Sequence, residues 1–188
     1  MREQIVLASA SPRRMELLSR ITTDFAAVPS AIEEVASGPP GERVLALARD
    51  KARDVADRCE GIIIAADTVV VLDGQILGKP QSRADARQAL KRLSDREHEV
   101  LTGLYILSTK AGKHGQAVEK TMVRFRALSD EEIEAYLDSG EYEGKAGAYA
   151  IQGRAGVFVE GICGDYFSVM GLPICRLVSL LAEMGVEL

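Results

Sequence analysis

Hydrophobic and polar residues follow distinct patterns along this chain, and these patterns predict which segments are strands and which are helices. Residues 4–8 have the pattern of a short strand, and the continuous apolar run 62–66 is typical of a strand buried on both faces. Residues 42–58 repeat an apolar side chain every three or four positions, which predicts an amphipathic helix. Turn and capping signals predict the remaining elements: an extended segment at 24–29, a hairpin turning at Asp73-Gly74, a helix at 82–93, strands at 98–107 and 116–126, a helix beginning at Ser129 with a capping box, short strands and turns in the glycine-rich stretch 140–173, and a final helix at 173–184.

The order of these elements predicts the fold class. Strands interleaved with helices and followed by further strands indicate an α/β or α+β architecture with a mixed sheet. The 188 residues, of which 47% are hydrophobic, suffice for one globular unit with a sizeable core. No run approaches the roughly 20 apolar residues of a membrane span, and no basic-then-apolar signal sequence precedes the folded pattern. We therefore expect a cytoplasmic protein that does not contact a membrane.

Charge and cysteine content narrow the classes of partner. The formal net charge of −5 argues against a surface for polymeric nucleic acid, because such surfaces usually carry a basic patch. A small anionic ligand needs only a local cluster of cations. The three cysteines, Cys59, Cys163 and Cys175, are an odd number without CxxC spacing, which argues against a disulfide framework and a zinc site. We expect them to be buried, reduced thiols.

Two arginines stand at an unfavourable position in the first predicted helix. Ser11 is a suitable N-cap and Pro12 a suitable first residue, so Arg13 and Arg14 fall in the first turn. There the helix dipole opposes a cation by up to about 1 kcal/mol. The same turn binds phosphate through its N–H groups, and arginines strengthen such a site. The pair is therefore tolerable if a multiply charged anion sits on this turn.

Further charged residues extend this hypothesis, each with a simpler alternative. Lys51 lies on the apolar stripe of the helix 42–58, so it either reaches water from the edge of the stripe or approaches an anion. Lys79 follows the hairpin and is either a ligand or an ordinary turn lysine. A polyphosphate usually brings Mg²⁺, for which Asp67 and the pair Glu33-Glu34 offer carboxylates; the alternatives are a strand-ending turn residue and a solvated loop. We expect Asp67 at the C-terminal end of the strand 62–66, where open α/β sheets bind ligands.

Several common catalytic motifs are absent from the sequence. It contains neither GxxxxGK[ST] nor GxGxxG nor GxSxG, so a P-loop, a dinucleotide site and a nucleophile elbow are unsupported. Ser9 and Ser11 are suited to hydrogen-bonding a phosphate, but no base for a serine nucleophile lies near them. His98 and His114 are far from these motifs and not at ligand spacing, so we expect structural or exposed roles.

Four blocks of this sequence resemble a known family. "LASASPRRMELL", "ARDKA", "AADTVVVLDGQILGKP" and "GKAGAYAIQGRAGVFVEGICGDYFSVMGLPI" are similar, in order, to the signature blocks of the Maf family of nucleoside triphosphate pyrophosphatases, from Leu7 to about Ile174. The resemblance implies one domain over residues 1–188, with a mixed twisted sheet in an elongated, two-lobed α/β molecule that has a central cleft, similar to inosine triphosphatase-like enzymes. It also implies hydrolysis between the α- and β-phosphates, which releases a nucleoside monophosphate and pyrophosphate.

The resemblance also implies residue roles. They comprise phosphate binding by Ser9, Arg13 and Arg14, catalytic lysines at Lys51 and Lys79, a general base at Asp67, Mg²⁺ or another divalent cation bound by Glu34 and Asp67, and base reading by Thr68 and Gln152. Whether Asp67 acts as base, metal ligand or both stays open at this point. Ser168 departs from the asparagine of many relatives, which leaves the contacts of that segment open.

The resemblance points to a substrate class. The "AIQG" form around Gln152, with Arg13 and Thr68, is similar to the branch that hydrolyses dTTP and UTP, so we expect these and 5-modified pyrimidine triphosphates as substrates in a house-cleaning role. The alternatives are the related branch that prefers 7-methyl-GTP and a non-catalytic, nucleotide-binding regulator of septum formation. Relatives commonly pair, so a homodimer is also expected.

Overall fold

The computed structural model describes residues 3–186, and its elements follow the predicted order. The strands are β1 (Ile5–Leu7), β2 (Phe25–Ala27), β3 (Ile62–Leu72), β4 (Gln75–Leu77), β5 (Glu97–Ser108), β6 (His114–Phe125) and β7 (Val159–Cys163). The helices are α1 (Pro12–Ser19), α2 (Pro40–Ala56), α3 (Arg83–Leu93), α4 (Asp130–Asp138), α5 (Tyr166–Met170) and α6 (Ile174–Glu183), with short 3₁₀ helices at Ala146–Ala148 and Arg154–Phe158. The stretch 140–173 therefore contains more turn and helix, and less strand, than its glycine-rich sequence predicts.

The strands form one mixed sheet, as the sequence predicts. Among the described residues the sheet has seven strands in the order β2-β1-β3-β5-β6-β7, and β4 pairs with β3 beside this path. β1 runs parallel to both β2 and β3, with Ile5 opposite Phe25 on one side and Ile62 on the other. The pairs β3–β4 and β6–β7 are antiparallel. Of the strands in these parallel pairs, β1 and β3 are almost entirely buried, whereas β2 is partly exposed at the edge of the sheet.

The chain divides into two compact units, and neither is a continuous stretch of sequence. The first unit comprises residues up to Asp67, Thr102–Glu119 and the segment from Gly171 onward. The second comprises Thr68–Leu101 and Lys120–Met170. The strands β3, β5 and β6 each begin in one unit and end in the other. No helix within residues 3–186 has both the length and the apolar character that a membrane crossing requires.

The core of the first unit brings α2 very close to the sheet. Small side chains on α2, Ala48 and Ala52, are completely buried among residues of β1, β3 and β5. Gly103 of β5 has no room for a side chain, because a Cβ atom there would lie 2.5 Å from the carbonyl group of Val44. The backbone of α2 therefore rests directly on β5, and this contact fixes which face of the helix points at the sheet.

The expectation about where the central strand ends is wrong. The strand that begins at Ile62 does not end before Asp67 but continues to Leu72, because Thr68 and the valines that follow favour a strand over a turn. Asp67 therefore lies inside β3, beyond its pairing with β1, which reaches Ile64, and before its pairing with β4, which begins at Val70.

The cysteines differ from expectation in their exposure. Cys163 and Cys175 are exposed, and Cys59 is only partly buried. Cys163 ends the edge strand β7 and Cys175 lies on the outer side of α6, so both face solvent although cysteine is among the residue types most often buried.

Local capping signals in the second unit are confirmed. The Ser82 hydroxyl accepts a hydrogen bond from the Asp85 N–H at 3.1 Å, where α3 begins. At the start of α4, Ser129 and Glu132 form the reciprocal capping box that the sequence predicts, with bonds of 3.2 and 3.0 Å. These caps satisfy N–H groups that a helix start would otherwise leave unpaired.

The two histidines of the chain have structural and exposed positions, as expected. His98 is 2% exposed, and its Nε2 lies 2.9 Å from the Tyr149 hydroxyl, while the ring of Phe125 packs edge-to-face at 5.0 Å. Its Nδ1 has no hydrogen-bond partner among the described residues. Burial lowers the pKa of His98 to about 4. His114 is exposed and stacks on Tyr105.

We expect His98 to make the protein sensitive to mild acid. In the unfolded chain His98 is protonated below its ordinary pKa of 6.5. In the folded protein it is protonated only when the pH approaches its lowered pKa of about 4. The contribution to stability is therefore complete above pH 6.5 and is lost as the pH falls to 4, by about 3 kcal/mol in total. Urea unfolding between pH 7.5 and 4.5 should show a shallower pH slope in His98→Gln than in the wild type. His114→Gln is the matched control, and equal slopes in wild type and His98→Gln would contradict the expectation.

Candidate active site

The first turn of α1 is built as the sequence predicts, but its cap differs in detail. Ser11 occupies the N-cap position with extended backbone angles, and Pro12 begins the helix. The Ser11 side chain makes no capping hydrogen bond; instead its N–H donates to the hydroxyl oxygen of the buried Ser9, at 3.1 Å. No acidic side chain lies in the first turn to offset the positive end of the helix dipole.

Arg13 and Arg14 lie in this turn, and the charge of Arg14 interacts with two carboxylates. The Nε of Arg14 donates to the Gly171 carbonyl oxygen at 2.8 Å. Burial lowers the pKa of Arg14, and the charge of Arg13 lowers it further, while the charges of Asp67 and Glu34 act in the opposite direction. These mutual effects mean that the two arginines and the two carboxylates share one electrostatic environment.

Lys51 is the centre of this environment. Its Nζ lies 2.6 Å from Asp67 Oδ1 and 2.7 Å from Glu34 Oε1. Lys51 and Asp67 are each only 7% exposed, whereas the side chain of Glu34 is 44% exposed. The interpretation that Lys51 reaches water from the edge of its helix is therefore wrong. Its ammonium group crosses the apolar layer and ends between two carboxylates.

The loop that carries Glu34 is held in place by the last turn of α2 and by Arg58, which follows the helix. The Asp54 carboxylate accepts the Ala31 N–H at 3.0 Å, and Arg58 donates both to Asp54 at 2.7 Å and to the Pro29 carbonyl at 3.2 Å. The Ala31 hydrogen bond, followed by that of Arg58, lowers the pKa of Asp54. One helix therefore supplies Lys51 and also positions the loop that brings Glu34 to it. Sequence reasoning missed Asp54, since an aspartate four residues before an arginine has the signature of an ordinary surface ion pair.

The carboxylates fit a metal ion that shares its ligands with a phosphate. Within residues 3–186 no group of three or more histidine, cysteine, aspartate or glutamate side chains could hold a metal ion alone. Mg²⁺ in nucleotide enzymes typically takes one or two carboxylates and completes its shell with water and phosphate oxygens. Glu34 and Asp67, which both contact Lys51, match that donor set, and Glu33 precedes Glu34 on the same exposed loop.

The remaining predicted site residues belong to the second unit. Thr68 is partly buried in β3, immediately after Asp67. Lys79 is exposed in the turn after β4, beside Gly78, whose carbonyl accepts the Gly147 N–H at 3.2 Å. Gln152 is exposed in the turn before the second 3₁₀ helix. Ion pairs and electrostatic interactions thus join Arg13, Arg14, Glu34, Lys51 and Asp67 in the first unit, with Ser9 in the turn before α1.

Ser168 has a structural role inside the second unit. It is completely buried, its hydroxyl lies 2.8 Å from the Thr121 hydroxyl, and it donates to the Asp165 carbonyl oxygen at 2.8 Å. Thr121 in turn accepts the Asp165 N–H at 3.0 Å. These bonds tie the segment before α5 to β6, and they account for the serine at this position.

Comparisons with known proteins extend these findings. The family model described as "Maf-like protein" matches residues 4–184. A dTTP/UTP pyrophosphatase of Thermococcus gammatolerans is 51% identical over 97% of both chains, and one of Carboxydothermus hydrogenoformans is 50% identical over 97% of this chain and 99% of its own. Among solved structures, a HAM1 protein from Coxiella burnetii has a similar fold, with a TM-score of 0.54 at 16% identity, covering 97% of this chain and all of its own.

We expect Lys51 to be essential for balancing charge in the folded protein. Lys51→Met keeps most of the apolar stem but leaves the buried Asp67 without its cation, so the free energy of unfolding should fall by about 3 kcal/mol. The double variant Lys51→Met/Asp67→Asn should be more stable than Lys51→Met, because the uncompensated charge is gone. Urea unfolding at pH 7.5 measures both.

The control for this measurement is Lys91→Met. Lys91 makes an exposed ion pair with Asp130 at 2.8 Å, so its loss should cost less than about 1 kcal/mol. The expectation fails if Lys51→Met is no more destabilising than Lys91→Met.

Proposed function

Because the chain belongs to the Maf family, we propose that it hydrolyses dTTP and UTP to the nucleoside monophosphate and pyrophosphate. The observation that carries this proposal is the cluster around Lys51, in which a buried ammonium group joins two carboxylates beside a helix turn bearing two arginines. Such a cluster offers cations to a triphosphate and carboxylates to a metal ion and a water molecule. Relatives about 50% identical over nearly the whole chain carry the name dTTP/UTP pyrophosphatase, which supports the substrate.

Phosphate binding is assigned to the first turn of α1 and to the lysines. The N–H groups of that turn and the guanidinium groups of Arg13 and Arg14 attract the phosphate oxygens, with Ser9 as an additional hydrogen-bond donor. An anion on this turn removes the mutual repulsion between the arginines and the helix dipole. Lys51 and Lys79 neutralise the charge that develops as the phosphate linkage breaks. Positioning and electrostatics of this kind need no covalent intermediate.

Asp67 is assigned the role of general base. It orients a water molecule and takes one of its protons, while the water oxygen bonds to a phosphorus atom of the α–β linkage. The bond from that phosphorus to the bridging oxygen breaks, and the two products separate. Asp67 suits this role because its position inside β3 is fixed by strand pairing on either side, so its carboxylate points consistently at the cluster.

A divalent cation, Mg²⁺ or another, is assigned to Glu34, with Asp67 as the second carboxylate available to it. The ion would withdraw negative charge from the phosphates. Lys51 is hydrogen-bonded to Oε1 of Glu34 and Oδ1 of Asp67, so the second oxygen of each carboxylate would be the donor toward the ion.

Thr68 and Gln152 are assigned to the base of the nucleotide. The Gln152 amide offers both a donor and an acceptor, which suits the edge of uracil or thymine, where two carbonyls flank one N–H. The 5-position of the pyrimidine plays no part in that pairing, so 5-modified triphosphates remain substrates in a house-cleaning role. We further infer from the family resemblance a cytoplasmic homodimer, and the net charge of −5 disfavours polymeric nucleic acid as a partner.

The proposal is tested by pyrophosphate release across a nucleotide panel with Mg²⁺. We expect kcat/KM for dTTP and UTP to exceed that for ATP and GTP by roughly ten- to a hundredfold. A wrong base that covers the Gln152 amide without pairing it costs about 1–3 kcal/mol. A higher value for 7-methyl-GTP would assign the chain to the other branch. Nucleotide binding without any hydrolysis would instead favour the non-catalytic regulator.

Asp67→Asn should reduce turnover by roughly a hundredfold or more, because the amide keeps the shape of the side chain but cannot accept the proton. Nucleotide binding, measured by calorimetry, should be largely retained, since the phosphate-binding cations are unchanged. Asp57→Asn, an exposed aspartate at the end of α2, is the matched control. Near-wild-type turnover in folded Asp67→Asn would rule out the base assignment.

A further inference from the structure

The turn that carries Gln152 is exposed, yet it is fixed at both ends. Gln152, Gly153 and Arg154 face solvent, whereas Ile151 before them and Ala155 after them are buried. The Gly153 N–H donates to the Ala150 carbonyl at 3.0 Å, and the Gly153 carbonyl accepts the Gly156 N–H at 3.0 Å. The backbone of this turn therefore has little freedom within the second unit.

The side chain of Glu141, which precedes the turn by more than ten residues, is hydrogen-bonded to the backbone of the turn. Its Oε2 accepts the Arg154 N–H at 2.8 Å, and its Oε1 lies 3.9 Å from Arg154 Nε. The Arg154 N–H is the first of the 3₁₀ helix Arg154–Phe158, so no carbonyl within the helix can satisfy it. Glu141 itself is held by the Ser139 hydroxyl, which accepts its N–H at 3.2 Å.

Gly153 leaves the space that the Glu141 carboxylate occupies. A Cβ atom on Gly153 would overlap Glu141 Oε2 and lie 2.9 Å from Glu141 Cδ. The backbone of Gly153, with φ at −105°, is one that residues with side chains also adopt. The glycine is therefore explained by the space that Glu141 occupies and not by an unusual turn.

We propose that Glu141 is a positioning residue that fixes the Gln152 turn and thereby sets the preference for pyrimidine over purine triphosphates. The proposal rests on the base-reading role given to Gln152 under the proposed function. A side-chain amide discriminates between bases only if its donor and acceptor are held within a fraction of an ångström of their place, and this requires a backbone that does not move. Glu141 supplies that restraint through one charge-assisted hydrogen bond to the residue two positions after Gln152.

Two different substitutions should each break this one hydrogen bond, so their effects on substrate preference can be compared. Glu141→Ala removes the acceptor, and Gly153→Ala pushes the acceptor away. Each should lower the ratio of kcat/KM for dTTP to that for GTP about tenfold, mainly through a loss with dTTP. The double variant should lose no more than either single variant, since the bond can be broken only once.

The controls separate positioning from folding and from charge. Glu141→Gln keeps an oxygen acceptor and should preserve the ratio, whereas Glu143→Ala removes a nearby exposed carboxylate without touching the turn and should change nothing. Circular dichroism checks the fold, and if Glu141→Ala does not fold, Gly153→Ala and Glu141→Gln carry the comparison.

The outcomes distinguish this proposal from the one on which it rests. A wild-type protein without any preference for dTTP over GTP, or a Gln152→Ala variant that keeps the wild-type ratio, would overturn the base-reading role itself. If both behave as proposed but folded Glu141→Ala and Gly153→Ala keep the wild-type ratio, the positioning role of Glu141 is overturned alone. Additive losses in the double variant would also contradict it.

Discussion

The buried ammonium group of Lys51 is the constraint on which the described site depends. Moving a lysine out of water costs several kcal/mol unless carboxylates meet it, and removing one partner of such a pair costs more than the pair gains. Lys51 contacts Asp67 and Glu34 at hydrogen-bonding distance, so burial of its ammonium group is favourable only when both carboxylates are in place. The ion pairs therefore do more to select one arrangement of α2, β3 and the loop that carries Glu34 than to stabilise the fold.

The geometry of α2 makes this arrangement reachable. Alanines on its inner face and Gly103 on β5 allow the helix axis to come close to the sheet, so the four-carbon stem of Lys51 spans the apolar layer between them. Asp54 in the last turn of the same helix, and Arg58 just after it, hold the loop that carries Glu34. A single rigid element thus sets the distance between the amine and one carboxylate directly, and the distance to the other through two hydrogen bonds.

The sequence predicted the order of elements, the caps of α3 and α4, the hairpin and the mixed sheet, because each depends on residues close together along the chain. It also singled out Lys51 and Asp67, since a charge in an apolar pattern is visible without coordinates, whereas only the family resemblance distinguished Glu34 from Glu33. It missed Asp54 and Glu141, whose partners are backbone N–H groups 23 and 13 residues away. Any carboxylate can accept such a bond, so no residue type marks it. The extent of β3 was misjudged because one aspartate resembles a strand end when its neighbours in the sheet are unknown.

The discontinuity of the two units has a consequence for how the protein is made. The first unit contains β1 and also the segment from Gly171 onward, so the second unit is synthesised between these two parts. Arg14 acquires its carbonyl partner, Gly171, only after the whole of the second unit has been synthesised. The turn that carries Arg13 and Arg14 therefore lacks this contact until Gly171 has been synthesised. For the same reason, a single crossover between genes could not transfer the first unit without part of the second.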